Sequence, residues 1–217
     1  MKAIIFGSIG TLVETSDVQR QSFNHAFKEM GLDWYWDKNN YKKLLKKSGG
    51  RNRVEYFANI NHNTVDSKKI RELKTQYFNR YLKSNTINPR DGVLEVIKYA
   101  KLNNIKIGLA STTSIENIDA IFTTLKDKIR KSDFNFIGNN KLIKRVKPYS
   151  DIYFEALKKL GVKESECIAI EDSVESAISA YKAKIECFAY PGLFHLDDDF
   201  SFCKKYLNKL DISIFEN

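Results

Sequence analysis

The 217-residue chain reads as an α/β protein, a mainly parallel sheet interrupted near its start by a helical insertion. Three observations predict this. Short apolar runs alternate with helical periodicity from about residue 88 onward. The first apolar run, Ala3–Phe6, contains no polar residue, as expected of a strand buried on both faces of a parallel sheet. Residues 16–86 are helical in pattern and hold fifteen Lys and Arg against seven Asp and Glu, nearly all of the net charge of +9.

In chain order, Lys2–Phe6 predicts the first strand and Gly7-Ser8-Ile9-Gly10-Thr11 a small-residue turn. A helix is expected from about Asp17, with Ser16 as N-cap and Gln19 closing a capping box. Phe23, Ala26, Phe27 and Met30 form its apolar stripe, and Gly31 its stop. After Asn88-Pro89-Arg90-Asp91-Gly92, residues Val93, Ile97 and Ala100 mark a helix that leads into a strand at Ile105–Ala110. Ile115, Ile118, Phe122 and Leu125 mark another helix before a short strand at Phe134–Ile137. A helix around Tyr153–Leu160 ends at Gly161; strand Cys167–Ile170, helix Val174–Tyr181 and strand Ile185–Ala189 follow.

Composition excludes several classes. Hydrophobic residues at 42% supply a core, which rules out wholesale disorder. Cys167, Cys187 and Cys203 are odd in number and lack CxxC spacing, so buried reduced thiols are expected, not a zinc site or disulfide scaffold. No apolar stretch approaches the ~18–20 residues of a membrane span, and the first run is too short for a signal peptide. A cytoplasmic protein with no membrane contact is the expectation. His25, His62 and His195 share no ligand spacing. The positive charge suits an anionic ligand, but no nucleic-acid-binding motif accompanies it, so none is expected as a partner.

Ligands of parallel α/β sheets bind at the carboxyl ends of the strands. Four groups stand there: Gly7–Thr11, Ser111-Thr112-Thr113-Ser114, Lys147-Pro148 and Glu171-Asp172-Ser173. Hydroxyls and backbone N–H groups at a helix start suit phosphate oxygens. A lysine neutralises phosphate charge, and adjacent carboxylates suit Mg²⁺.

In this order the groups resemble the haloacid dehalogenase-like (HAD) superfamily, in particular its CbbY-like and β-phosphoglucomutase-like sugar-phosphate phosphatases. The resemblance covers nearly the whole chain. Met1–Phe6 with Gly10-Thr11-Leu12-Val13-Glu14-Thr15 is similar to the first motif, and Ala110-Ser111-Thr112-Thr113 to the second. Lys147-Pro148 with Asp151-Ile152-Tyr153 resembles the third, and Ile170-Glu171-Asp172-Ser173 the fourth. The resemblance implies a parallel Rossmann-like core over 1–15 and 87–217, with an inserted α-helical cap over 16–86. It implies phosphate binding by Ser111, Thr112 and Lys147, and a Mg²⁺ site, weakened here, at Glu171 and Asp172. Ser48-Gly49-Gly50-Arg51-Asn52-Arg53 looks like the cap's specificity loop, which implies that Arg51 and Arg53 bind substrate. A phosphorylated sugar is the implied partner.

The first motif departs from the family pattern Asp-x-Asp-Gly-Thr, because this chain has Gly7 and Ile9 at the aspartate positions. In the family the first aspartate attacks phosphorus and the second moves the proton. Glycine has no side chain and isoleucine no titratable group, so ordinary aspartyl-phosphate turnover is not expected. Two alternatives stand beside a binding role. One is a rerouted hydrolysis by metal-bound water, or by Ser8, Thr11 or Glu14. The other is an interaction module on a vestigial scaffold, with Trp34-Tyr35-Trp36 as a partner surface. Ser176 and Ala183-Lys184 depart from glycine-bearing positions of the fourth-motif helix.

Overall fold

A computed structural model describes residues 1–46 and 49–216, so Ser48 of the cap loop lies outside the described residues. The chain divides into two compact units, Met1–Glu14 with Ile87–Asn217, and Thr15–Thr86. The first unit opens with β1 (Ala3–Phe6) and the one-turn α1 (Ile9–Leu12). The second holds α2 (Ser16–Glu29), α3 (Lys38–Leu45), α4 (Gly50–Ile60) and α5 (Ser67–Ser84). The first then resumes with α6 (Val93–Leu102), β2 (Lys106–Leu109), α7 (Ile115–Leu125), β3 (Phe136–Ile137) and α8 (Asp151–Leu160). It closes with β4 (Cys167–Glu171), α9 (Val174–Lys182), β5 (Glu186–Ala189) and β6 (Lys205–Tyr206).

The sheet runs β3-β2-β1-β4-β5-β6 with every neighbouring pair parallel. Connections leave β1 toward one side of the sheet and β4 toward the other. The crevice of such a sheet therefore lies at the carboxyl ends of β1 and β4. Register pairs Phe6 with Ile170, so the next residues, Gly7 and Glu171, stand side by side. Side chains alternate faces along a strand, which puts both on the face of Ile5 and Ala169. Helices α8 and α9 cover that face with Ile152, Tyr153, Ala156, Leu160, Ala177 and Ala180.

The structure corrects several boundaries. Strand β4 extends one residue further than Ile170, so Glu171 is its last member. The turn after β1 contains α1, whose carbonyl of Ile9 accepts from the Val13 N–H at 2.9 Å. Helix α2 is capped by Thr15, and no capping box forms. Instead Gln19 Oε1 accepts from the Lys74 ammonium at 3.0 Å, a buried donor that needs an acceptor more than a solvated helix end does. Strand β6 was not anticipated, because its two residues are exposed and polar and carry no apolar signal. Lys184 adopts φ 60°, keeping the left-handed turn that a glycine would take.

Within the second unit, Trp36 is fully buried among Phe23, Phe27, Tyr41 and Phe57, with ring centroids 4.7–5.9 Å away. Trp34 is half-buried against Phe27 and Phe57 and donates Nε1–H to Asn63 at 3.2 Å. Only Tyr35, 68% exposed, faces solvent. Trp36 is therefore part of the unit's own core, and Trp34 packs its ring against Phe27 and Phe57 while remaining half-buried. All three cysteines are free, two buried and Cys203 half-buried. Among the described residues, no helix is long and apolar enough to cross a membrane.

Candidate functional site

The buried polar residues of the first unit converge where β1 and β4 end. Lys147, 4% exposed, donates its ammonium to Glu171 Oε1 and to the Gly7 carbonyl, each at 2.5 Å. Tyr153 on α8 donates its hydroxyl to the same Glu171 oxygen at 2.6 Å. Glu171 is wholly buried, and its second oxygen, Oε2, has no hydrogen-bond partner among the described residues. Burial pushes the Glu171 carboxyl up to about 7, although the Lys147 charge pulls it down. Burial, with the neighbouring carboxylate, also holds the Tyr153 hydroxyl well above its ordinary value.

Glycine at position 7 makes this arrangement possible. A Cβ there would lie 2.0 Å from the Glu171 carboxyl carbon and 2.1–2.2 Å from its oxygens. The glutamate carboxyl thus occupies the space in which any residue-7 side chain would begin. Gly10 plays a similar part for Asp172, because a Cβ at Gly10 would meet Asp172 Oδ2 at 1.8 Å. Asp172 itself is half-buried, and its carbonyl accepts from the Gly192 N–H at 2.9 Å.

Ser111 follows β2, is buried, and accepts from the Thr113 N–H at 3.2 Å. Thr112 beside it is half-buried. The helix α7 is capped by Ser114, whose Oγ accepts from the Asn117 N–H, so Ser111 is not the cap. Arg90 was not singled out from sequence. Its guanidinium donates to the carbonyls of Gly10 (2.9 Å), Tyr190 (2.9 Å) and Pro191 (2.6 Å) and lies 3.5 Å from the centroid of the Tyr190 ring. It thereby fixes the loops after β1 and β5.

The groups considered as stand-ins are otherwise engaged or lack a base. Thr11 Oγ1 donates to the Ser8 carbonyl at 2.7 Å, and Glu14 Oε2 accepts from the Leu193 N–H at 2.7 Å. Ser8 Oγ is buried and makes no hydrogen bond among the described residues, so no base is bonded to it. The side chains of residues 7 and 9 carry no oxygen.

In the second unit the structure separates the two loop arginines. Arg51 is exposed and pairs with Glu55 at 2.7 Å one helical turn on. Arg53 is half-buried, 5.8 Å from the centroid of the Tyr41 ring. Its charge, with that of Arg71, acts on Lys74, a residue that sequence reading missed. Lys74 is 7% exposed and stands 4.8 Å and 5.6 Å from the ring centroids of Phe78 and Phe23. Burial, helped by the two arginines, lowers its pKa to about 7. The signal was available. Lys74 falls in register with Ile70, Phe78 and Leu82, the apolar stripe of α5.

A parallel sheet with a switch point at β1/β4, an inserted helical unit, and Ser111, Lys147 and Asp172 at the strand ends agrees with one family. The chain belongs to the haloacid dehalogenase-like hydrolases, whose family model matches residues 4–190. Among curated proteins, it is 35% identical to Protein CbbY of Rhodobacter capsulatus over 204 residues, covering 93% of this chain and 90% of that protein. Among solved structures, CbbY from Rhodobacter sphaeroides in complex with phosphate superposes with a TM-score of 0.88 at 30% identity, covering 96% and 94% of the two chains. A mutant of the same protein in complex with xylulose-(1,5)bisphosphate gives the same values. β-Phosphoglucomutase from Clostridium difficile, at 22% identity and a TM-score of 0.79 over 100% and 96%, shares the fold.

Proposed function

We propose that this chain binds a phosphorylated sugar, a bisphosphate in particular, and does not hydrolyse it through an aspartyl-phosphate. The observation that carries the reading is the composition of the strand ends. Ser111, Thr112 and Lys147 are retained around positions 7 and 9, which have neither nucleophile nor proton-transfer group. Hydroxyls, backbone N–H groups and an ammonium bind phosphate oxygens without chemistry. Loss of the nucleophile in a covalent-catalysis enzyme costs on the order of a millionfold in turnover.

Within the second unit the charges of Arg53 and Arg71 act on Lys74, and the positive charge of this segment suits an anionic ligand. Arg51 belongs to this reading as a surface arginine that would have to leave Glu55 to bind. The structure of the relative with xylulose-(1,5)bisphosphate makes that compound the first to test.

Calorimetric titration with xylulose 1,5-bisphosphate, run beside a phosphate-release assay, tests the reading. Saturable binding without release is expected, weakened at least about tenfold by Lys147→Ala or Arg53→Ala. Release at the rate of an ordinary phosphatase, stopped by Asp172→Asn, would overturn it in favour of metal-activated water.

A further inference from the structure

Magnesium is the cofactor this family implies, and the donors gathered here do not suit it. The ion takes six oxygens in near-octahedral geometry, usually from one or two carboxylates, backbone or ligand oxygens and water. Positions 7 and 9 offer no carboxylate. Glu171 Oε1 already receives an ammonium and a hydroxyl, and the Gly7 carbonyl accepts from the same ammonium. A dication on the remaining oxygen, Oε2, would stand beside the Lys147 charge in a fully buried setting, where repulsion is poorly screened. Asp172 makes no ion pair among the described residues.

We propose that the Lys147 ammonium is the resident cation of this site. It is locked to Glu171 in the space a residue-7 side chain would fill, and the site takes phosphate or sulfate without a divalent ion. The inference rests on the phosphate-binding reading above for its ligand, but not for its cation.

Three observations carry it independently of any metal. The Gly7 cradle is filled by the Glu171 carboxyl, as the 2.0 Å approach to an ideal Cβ requires. Sheet register makes that filling the natural outcome, since Gly7 and Glu171 follow the paired residues Phe6 and Ile170 on the same face. The ammonium and carboxylate are both almost completely buried and pair through Oε1, where the Tyr153 hydroxyl is a third member. A site built in this way has its charge neutralised from within.

The test uses the native chain with Mn²⁺ as a paramagnetic stand-in for Mg²⁺, followed by electron paramagnetic resonance. No stoichiometric Mn²⁺ binding is expected up to about 1 mM. Phosphate affinity, measured by calorimetry, is expected to agree within about twofold between a chelator and excess Mg²⁺. One bound Mn²⁺ per chain, or a gain of about tenfold or more in phosphate affinity with Mg²⁺, would overturn the proposal. Absence of phosphate binding in both solutions would overturn the phosphate reading, while the Mn²⁺ titration would still decide the cation. Gly7→Asp supplies a positive control, its fold checked by circular dichroism. The new carboxylate must push the flexible end of Glu171 aside, and a gained Mn²⁺ site is the expected result. A folded variant without one would overturn the claim that Glu171 stands in place of a residue-7 carboxylate.

Discussion

Tyr153 donates its hydroxyl to Glu171 Oε1 across 2.6 Å, joining α8 to the last residue of β4 inside the covered face of the sheet. The bond makes the Lys147–Glu171 pair part of a three-residue network, not an isolated contact.

Removing one member of a buried ion pair leaves the other uncompensated, which typically costs about 3–5 kcal/mol. Lys147→Met is therefore expected to destabilise the chain by roughly that amount in urea unfolding. The double variant Lys147→Met/Glu171→Gln is expected to recover most of the loss. A double variant as unstable as the single one would show that the pair is not the source of the cost.

Lys74 makes a signed prediction about pH. Its folded pKa of about 7 lies below the ordinary 10.5, so the folded chain binds fewer protons there than the unfolded chain between these values. Stability relative to Lys74→Met should rise as pH increases from about 7 to 10.5 and level off below about 7 and above 10.5. Urea midpoints of the two proteins across that range check it; a flat difference would refute it.

Trp36 is fully buried in the aromatic cluster of the second unit, so Trp36→Ala should cost about 3–5 kcal/mol. Tyr35→Ala, at an exposed neighbour, should stay within about 0.5 kcal/mol. Thermal melts of the pair test the assignment of this segment to core and not to a partner surface.

Arg90 places three carbonyls on one planar fork, a geometry that an ammonium does not reproduce. Arg90→Lys is expected to speed amide exchange in the loop around residues 190–193 nearly as much as Arg90→Ala does. Hydrogen exchange read by mass spectrometry distinguishes this from a simple charge effect, which Lys would rescue.

The strands and their order of motifs were legible because apolar runs bounded by glycine and polar residues mark buried parallel strands plainly. Strand β6 was not, since neither of its two residues is buried. The role of Glu171 was hidden by ending its strand at Ile170. A carboxylate read as loop looks free for metal, whereas one more step of strand alternation turns it toward Gly7. Lys74 was lost in a lysine-rich helix where charge suggested solvent, although its spacing from Ile70 and Phe78 pointed inward. Arg90 stands in a loop with no periodicity, and only the folded carbonyls explain it.

The Arg90 contacts bear on how the protein could be re-engineered. Its N–H binds the Leu12 carbonyl at 2.9 Å and its guanidinium binds that of Gly10, so the chain's departure point and its re-entry point are fastened together within the α/β unit itself. The second unit, Thr15–Thr86, is inserted in the chain between these two fastened points, which act as a single closed gate. Such a gate makes the insertion an exchangeable part: a short linker, or another domain with closely spaced ends, can be spliced there without altering the scaffold's own bonding.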